Sequence, residues 1–323
     1  STFFTNAQQQ QQALYQEFLA NERMRKIQAQ EAIQEYILHS SIVLPDYSGM
    51  KGTESFHAAR KEITDMLQGR RNMNLKRAVF LTENAYYDNK LSYDRFNAEI
   101  QNLKRICLLK MKEEGLNTQD NMAVNLMIFR VITDEVSVRE PATEKSITHY
   151  PMKYDFEDFL AQQDASKYMV SKLLVKNTGQ CHSMPLLYLI LAEELGAKAH
   201  LSLSPSHSFV KIQDSQGNWY NLELTQGAVA TDDFYVGSGY IKTEAIRNQL
   251  YLAPLSSREL IAQQLIDLSS YYTRKYGYDS FVKQNADVVL AYSPSSVTAL
   301  QARVTYYAYM AKYAVERCGY PHP

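Results

Sequence analysis

The stretch Gly179-Gln180-Cys181-His182-Ser183-Met184-Pro185-Leu186-Leu187-Tyr188, running on to Gly196, decides how this chain is read. Pro185 lacks an amide hydrogen and fits only the first turn of a helix, so a helix should start close to Cys181 or His182. Met184, Leu187, Tyr188, Leu191, Ala192 and Leu195 form a stripe at helical spacing. Leu186, Leu189 and Ile190 make the remaining surface apolar, so this helix is expected to be buried on nearly all sides. Gly196 supplies a left-handed residue to end it. Cys181 then lies at the positive end of a buried helix, where free amide hydrogens favour an anion and can also stabilise an oxyanion.

A nucleophilic thiol needs a base, and the base needs a third group to fix its tautomer. Downstream, Lys198 to Ser204, His207 to Gln213 and Trp219 to Leu224 alternate like strands, the last two joined by the turn Asp214-Ser215-Gln216-Gly217-Asn218. Alternation puts Val210 and Ile212 on one face and His207 on the other. In the next strand Tyr220, Leu222 and Leu224 share one face, and Trp219, Asn221 and Glu223 the opposite one. In an antiparallel pair His207 and Glu223 can therefore meet. The residues expected to carry chemistry are Cys181 as nucleophile, His207 as base and Glu223 as orienting acid.

Asn221, on the same face as Glu223, is the second candidate to orient the imidazole. Gln180 is expected to help the Cys181 amide stabilise an oxyanion. His182 points about 100° round the helix from Cys181, so it lines the cleft instead of acting as base, and Trp219 is placed with the cleft residues. Taken singly, each triad member has an ordinary reading: a buried cysteine, a half-exposed strand histidine, a solvated carboxylate. The shared geometry is what selects the chemistry. A metal site from Cys181, His200, His207 and Glu223 lacks the ligand spacing of zinc motifs, and neither metal nor cofactor is expected.

The segment Gly179 to Tyr188, with Ala192-Glu193-Glu194-Leu195-Gly196, resembles the nucleophile helix of the transglutaminase-like superfamily. It is most similar to the bacterial SirB-type branch, whose base lies in a Pro-x-His segment, matched here by Pro205-Ser206-His207. Across roughly residues 75–230 the resemblance implies a circularly rearranged papain-like core with Cys181, His207 and Glu223 in the roles above. This chain departs from the pattern in having Glu223-Leu224-Thr225 where an Asp-Pro pair is usual, and Gln180 where Asn is more frequent. Some members of that branch lack the cysteine, so membership alone does not imply catalysis. Gly277-Tyr278, Ala286 and Pro294 fall where a tetratricopeptide repeat places such residues, which implies C-terminal helices docked on the core or on a protein partner.

The rest of the 323 residues frames this site. Residues 5–38 read as one Gln-rich helix with Leu14, Phe18, Ile27, Ile33 and Ile37 as scattered apolar points, and Pro45 through Ser55 as a turn-rich linker. Three helices are expected from Leu75 to about Thr133, broken near Tyr87 to Ser92 and at Gly115 to Asp120, with Cys107 as a small buried hydrophobe. A loop carrying Pro141 and Pro151 leads to a helix from about Asp155 to Val175. Helix returns from Ser256, where Glu259 completes a capping box, to Tyr313. The expected organisation is an N-terminal helical extension (1–70), a transglutaminase-like core (71–250) and a C-terminal helical segment (251–323). The fold class is α+β, mostly helical, with a small antiparallel sheet on the nucleophile helix.

A net charge of -1 leaves no basic excess for phosphates, which argues against a nucleic-acid partner. No apolar run approaches the ~18 residues of a membrane span. Three widely separated cysteines suggest neither a disulfide framework nor a zinc module. The chain begins Ser1-Thr2-Phe3-Phe4, which fits a processed or trimmed chain and leaves the compartment open between cytoplasm and export. A protein or peptide substrate is expected. The rival expectation is a non-catalytic interaction module in which the long N-terminal helix and the C-terminal helices, with tyrosine clusters such as Tyr271-Tyr272 and Tyr306-Tyr307, bind a protein and the triad is a relic.

Overall fold

A computed structural model describes residues 2–40, 42–158 and 160–319. The chain opens with α1 (Thr2–Ser40), α2 (Thr53–Leu67), α3 (Leu75–Tyr86), α4 (Tyr93–Glu113) and α5 (Asn121–Thr133). A hairpin of β1 (Val136–Arg139) and β2 (Ser146–His149) follows, then β3 (Lys153–Tyr154), α6 (Val170–Lys176), β4 (Thr178–Gly179) and α7 (Ser183–Leu195). The main sheet contains β5 (His200–Ser204), β6 (His207–Gln213), β7 (Trp219–Glu223) and β8 (Ala228–Ala230). Helices α8 (Asp232–Gly239), α9 (Thr243–Arg247), α10 (Ser257–Lys275), α11 (Ser280–Tyr292) and α12 (Val297–Arg317) complete the chain. The fold is α+β and mostly helical, as expected.

The helix starts have local causes. Asn74, Ser92 and Asp120 each accept a hydrogen bond from a backbone amide of the first turn of α3, α4 and α5. Ser256 and Glu259 form the reciprocal capping box at α10. Cys107 is buried on α4, where burial pushes its thiol up to about 12. In α1, Ile33 is buried whereas Phe18 and Ile27 are exposed; the side chains of Leu14 and Ile37 lie outside the described residues.

Three segments differ from expectation. The supposed linker ends in α2, whose Phe56, Ala59, Ile63 and Met66 form a buried stripe. The proline-bearing loop contains the β1–β2 hairpin, with Val136 and Val138 turned inward. The expected long helix from Asp155 to Val175 is replaced by a turn-rich loop, a 3-10 turn at Ala165–Tyr168 and the short α6. Its acidic residues explain the change: Asp158 accepts the amides of Gln162, Gln163 and Asp164, and Asp164 accepts that of Ser166. These local side-chain bonds compete with the helical ladder.

At the centre lies α7, with every residue from Ser183 to Ala192 buried. Tyr188 donates to the carbonyl and side-chain oxygen of Asn125 on α5, at 2.9 and 2.8 Å. Glu193 accepts the Leu75 amide at the start of α3, and Glu194 pairs with the buried Lys76 at 2.6 Å. Gly196, at φ 73°, ends the helix as a left-handed cap. Strands β5 to β8 form an antiparallel meander, with Leu201 opposite Val210 and Val210 opposite Leu222. Val210, Ile212, Leu222 and Leu224 join the main core, together with α7, α2, α3 and α10. The other face carries a smaller cluster of Phe209, Tyr235, Ile241 and Leu252, contributed by β6, α8 and the segments that follow it. Among the described residues no helix is long and apolar enough to cross a membrane.

Candidate active site

The candidate nucleophile turn is built by close packing. Strand β4 pairs in parallel with β3, and Gly179 accepts the Asp155 amide at 2.8 Å. A Cβ on Gly179 would stand 2.7 Å from Ser183 Oγ and 3.0 Å from Leu173 Cδ1, so only glycine lets the strand turn this tightly into α7. The Gln180 amide donates to Ser183 Oγ at 3.0 Å, and the Met184 amide to the Gln180 carbonyl at 3.1 Å. Cys181 occupies this turn and is partly exposed. The helix proper starts at Ser183, two residues after the thiol.

His207 reaches the same place from the sheet. The two-residue turn Pro205-Ser206, with Ser206 in the left-handed region at φ 55°, returns the chain so that Ser204 pairs with His207. Lys211 stands opposite Asn221, so continuing the register puts His207 and Glu223 on adjacent strands as diagonal neighbours of one face. His207 Nε2 lies 2.6 Å from Glu223 Oε2. A carboxylate can only accept, so the proton sits on Nε2 and Nδ1 is left for the Cys181 thiol, the other side-chain hydrogen-bond partner of His207. Burial alone would lower the His207 pKa, but the bonds to Cys181 and Glu223 and their negative charge outweigh it and carry the group up to about 9. Ser208 adds a hydrogen bond from its hydroxyl to the Cys181 carbonyl.

Glu223 is 2% exposed. Burial would raise its pKa, yet the hydrogen bond and charge of His207, with bonds from Thr225 and Tyr235, hold it below the ordinary carboxylate range. Thr225 donates its hydroxyl to Oε1 at 2.6 Å and its amide at 3.2 Å, while Tyr235 donates to Oε2 at 3.0 Å. The Tyr235 ring stacks on Phe209 at 3.8 Å, so the second small core fixes the phenol that braces the acid. The longer glutamate is thus held on both oxygens.

His182 stands beside the thiol in a different arrangement. Its Nδ1 donates to the Tyr168 carbonyl at 2.9 Å, and its Nε2 faces Asp267 Oδ2 of α10 at 3.0 Å. Burial disfavours its charge, but the Asp267 carboxylate and the Tyr168 carbonyl outweigh that and raise it to about 9. Behind it Glu83 accepts the amides of Val170 and Ser171 at 2.6 and 2.9 Å, and burial pushes its carboxyl up to about 7. A cleft of about 360 Å³ opens over these groups, lined by Cys181, His182 and His207, by the β5–β6 hairpin, and by α10 and the first turn of α12.

The other residues singled out from sequence lie elsewhere. Asn221 donates to Asp232 at 2.7 Å, beside the Lys211–Asp232 ion pair, and does not contact His207. Gln180 is fully buried and donates to the Asp158 carbonyl at 3.0 Å, tying the 155–168 loop to the nucleophile turn; it is not part of the cleft lining. Trp219 is 43% exposed and packs on His200, which bonds the Leu255 carbonyl and pairs across the sheet with Lys211. Both sit at the strand ends remote from His207, because face parity fixes a side and not a position along the strand. Among the described residues no group of three or more metal-ligating side chains converges.

Sequence reasoning missed Thr225, Tyr235 and Asp267. The Pro205–Gly239 contact that closes α8 over the hairpin was equally silent: a Cβ on Gly239 would meet Pro205 Cδ at 2.9 Å. Thr225 lies two residues from a candidate acid on a strand end, a position from which a side chain can cap the carboxylate, and was the one detectable signal. No family model matches this chain, and no curated protein or solved structure is significantly similar to it.

Proposed function

We propose that this chain is a cysteine-dependent acyl-transfer protein of transglutaminase-like character, acting as a peptidase or amidase on a protein or peptide substrate. Cys181 gives its proton to His207 Nδ1, a transfer favoured by the imidazole pKa being held up to about 9, and the sulfur attacks an amide carbonyl as the thiolate. The His207 imidazolium then protonates the departing amine, and Glu223 stabilises the positive ring throughout. Water, deprotonated by the now neutral His207, cleaves the thioester and frees the acid. The Cys181 amide lies at the open end of α7 and donates to no carbonyl among the described residues, which leaves it for the oxyanion.

One observation carries this reading: His207 is held between the Cys181 thiol and a buried, fully braced carboxylate 2.6 Å away, at the mouth of a cleft. Iodoacetamide labelling at about pH 6–7, read by peptide mass spectrometry, tests it. Cys181 is expected to react at least about tenfold faster than Cys318, which is also partly exposed, with the buried Cys107 unlabelled. Equal rates at Cys181 and Cys318 would remove the main support.

A further inference from the structure

The wall of the cleft that faces the thiol comes from the C-terminal helices. Gln263 and Ser270 of α10 and Thr298 and Gln301 of α12 present amide and hydroxyl groups among Ile266, Val297, Leu203 and Tyr271, so the lining is largely apolar with a few uncharged polar groups. Thr298 donates its hydroxyl to Gln263 Oε1 at 2.8 Å, which fixes that amide with its Nε2 hydrogens free to donate. Gln301 is exposed. No lysine, arginine or glutamate lines this cleft among the described residues. The charged groups that do line it are already matched: His182 by Asp267 at 3.0 Å and His207 by Glu223 at 2.6 Å. A cation or an anion entering the cleft would lose water and find no uncommitted counter-charge, which is unfavourable, whereas an amide or hydroxyl would exchange water for Gln263 and Gln301.

From this lining we infer that the cleft selects a peptide whose side chain beside the reacting carbonyl is uncharged, and that Gln263 and Gln301 supply the uncharged polar part of that subsite. The inference rests on the acyl-transfer reading of Cys181 and names its substrate class. It also gives the C-terminal helices a place in specificity.

Peptidyl vinyl sulfones test selection without turnover: Cys181 sulfur adds to the vinyl carbon β to the sulfone, the C=C π bond opens, and the thiol proton ends on the carbon α to the sulfone. Four N-acetylated dipeptide probes differ only at the residue next to the electrophile, which is Asn, Leu, Glu or Lys. The Asn and Leu probes are expected to label Cys181 about tenfold faster than Glu or Lys. Gln301→Lys, at an exposed helix position, should then raise the Glu-to-Asn rate ratio by about tenfold. A Glu or Lys probe as fast as Asn, or an unchanged ratio in Gln301→Lys, would each overturn the inference. Iodoacetamide separates the two levels. A thiol that reacts readily with it but does not discriminate among the probes overturns only the substrate class, and a thiol inert to it overturns the acyl-transfer reading as well.

Discussion

Cys181 has a histidine–carboxylate pair on either side, and the two pairs look alike until their nitrogens are counted. The side chains of His207 and His182 are equally exposed, at 26%, and both are raised to about 9, His207 by Cys181 and the Glu223 carboxylate and His182 by the Asp267 carboxylate. In His182 both nitrogens are committed, one to the Tyr168 carbonyl and one to Asp267. In His207 one nitrogen meets Glu223 and the other meets the thiol. The first wiring makes an anchor between the Cys181 turn and α10; the second is the one the proposed mechanism uses to carry a proton. Adjacency and pKa are shared by both pairs, so hydrogen-bond valence is what separates a base from a strut.

The most severe break of this comparison is His207→Ala. Alkylation of Cys181 by iodoacetamide near neutral pH should slow by about a hundredfold or more, because no other nitrogen near the thiol is free to take its proton. His182→Asn should behave differently. Loss of a largely buried ion pair is expected to cost ~1–3 kcal/mol of unfolding free energy in urea melts, with the discount that a quarter-exposed pair requires. Alkylation in that variant should fall by less than about tenfold. A His182→Asn protein that is stable but as slow as His207→Ala would reverse the two roles.

Stability against pH sharpens the same contrast. Both histidines are raised above their ordinary value of 6.5, so the stability they add is fully present below about pH 6.5 and is lost as pH rises through about 9. Glu83 acts with the same sign lower down: held at about 7 against an ordinary 4.5, it makes the folded chain bind more protons, so stability falls as pH rises between those values. Urea melts from pH 5 to 9.5 should therefore show a falling free energy, and His182→Asn should flatten the upper half of that slope by about 1 kcal/mol. An upper slope that survives intact in His182→Asn would show that its pairing with Asp267 does not bias folding.

The legible parts of the molecule are those set by neighbours in sequence. The starts of α3, α4 and α5 follow from Asn74, Ser92 and Asp120, and the meeting of His207 with Glu223 follows from a period of two and a short turn. The illegible parts depend on long-range closure. Asp267 sits within α10 like any solvated helix carboxylate, and it becomes a partner of His182 only when α10 packs across the nucleophile turn, 85 residues away in sequence. Tyr235 reaches Glu223 only once α8 folds back over the sheet. The segment from Asp155 to Val175 departs from expectation for the opposite reason: Asp158 and Asp164 capture the backbone locally where a long helix was expected.

Tyr235→Phe probes the smallest difference between the pairs, the brace on the carboxylate. Asp267 accepts from His182 alone among its described side-chain bonds, whereas Glu223 also accepts from Thr225 and Tyr235, the latter on the oxygen that faces His207. Removing the phenol hydroxyl keeps the ring stacked on Phe209 and leaves Thr225 on the other oxygen, so the stability loss should stay near ~1 kcal/mol. The freed oxygen concentrates more negative charge on His207 and fixes it less well in direction. Alkylation of Cys181 should slow about threefold to tenfold, and the alkaline limb of its pH profile should move upward, because the imidazolium faces a less shared carboxylate. A purely structural tyrosine would lower stability and leave both the rate and the limb in place. The glutamate would then be positioned by Thr225 and the strand alone, and the extra length of its side chain would need no brace from the second core.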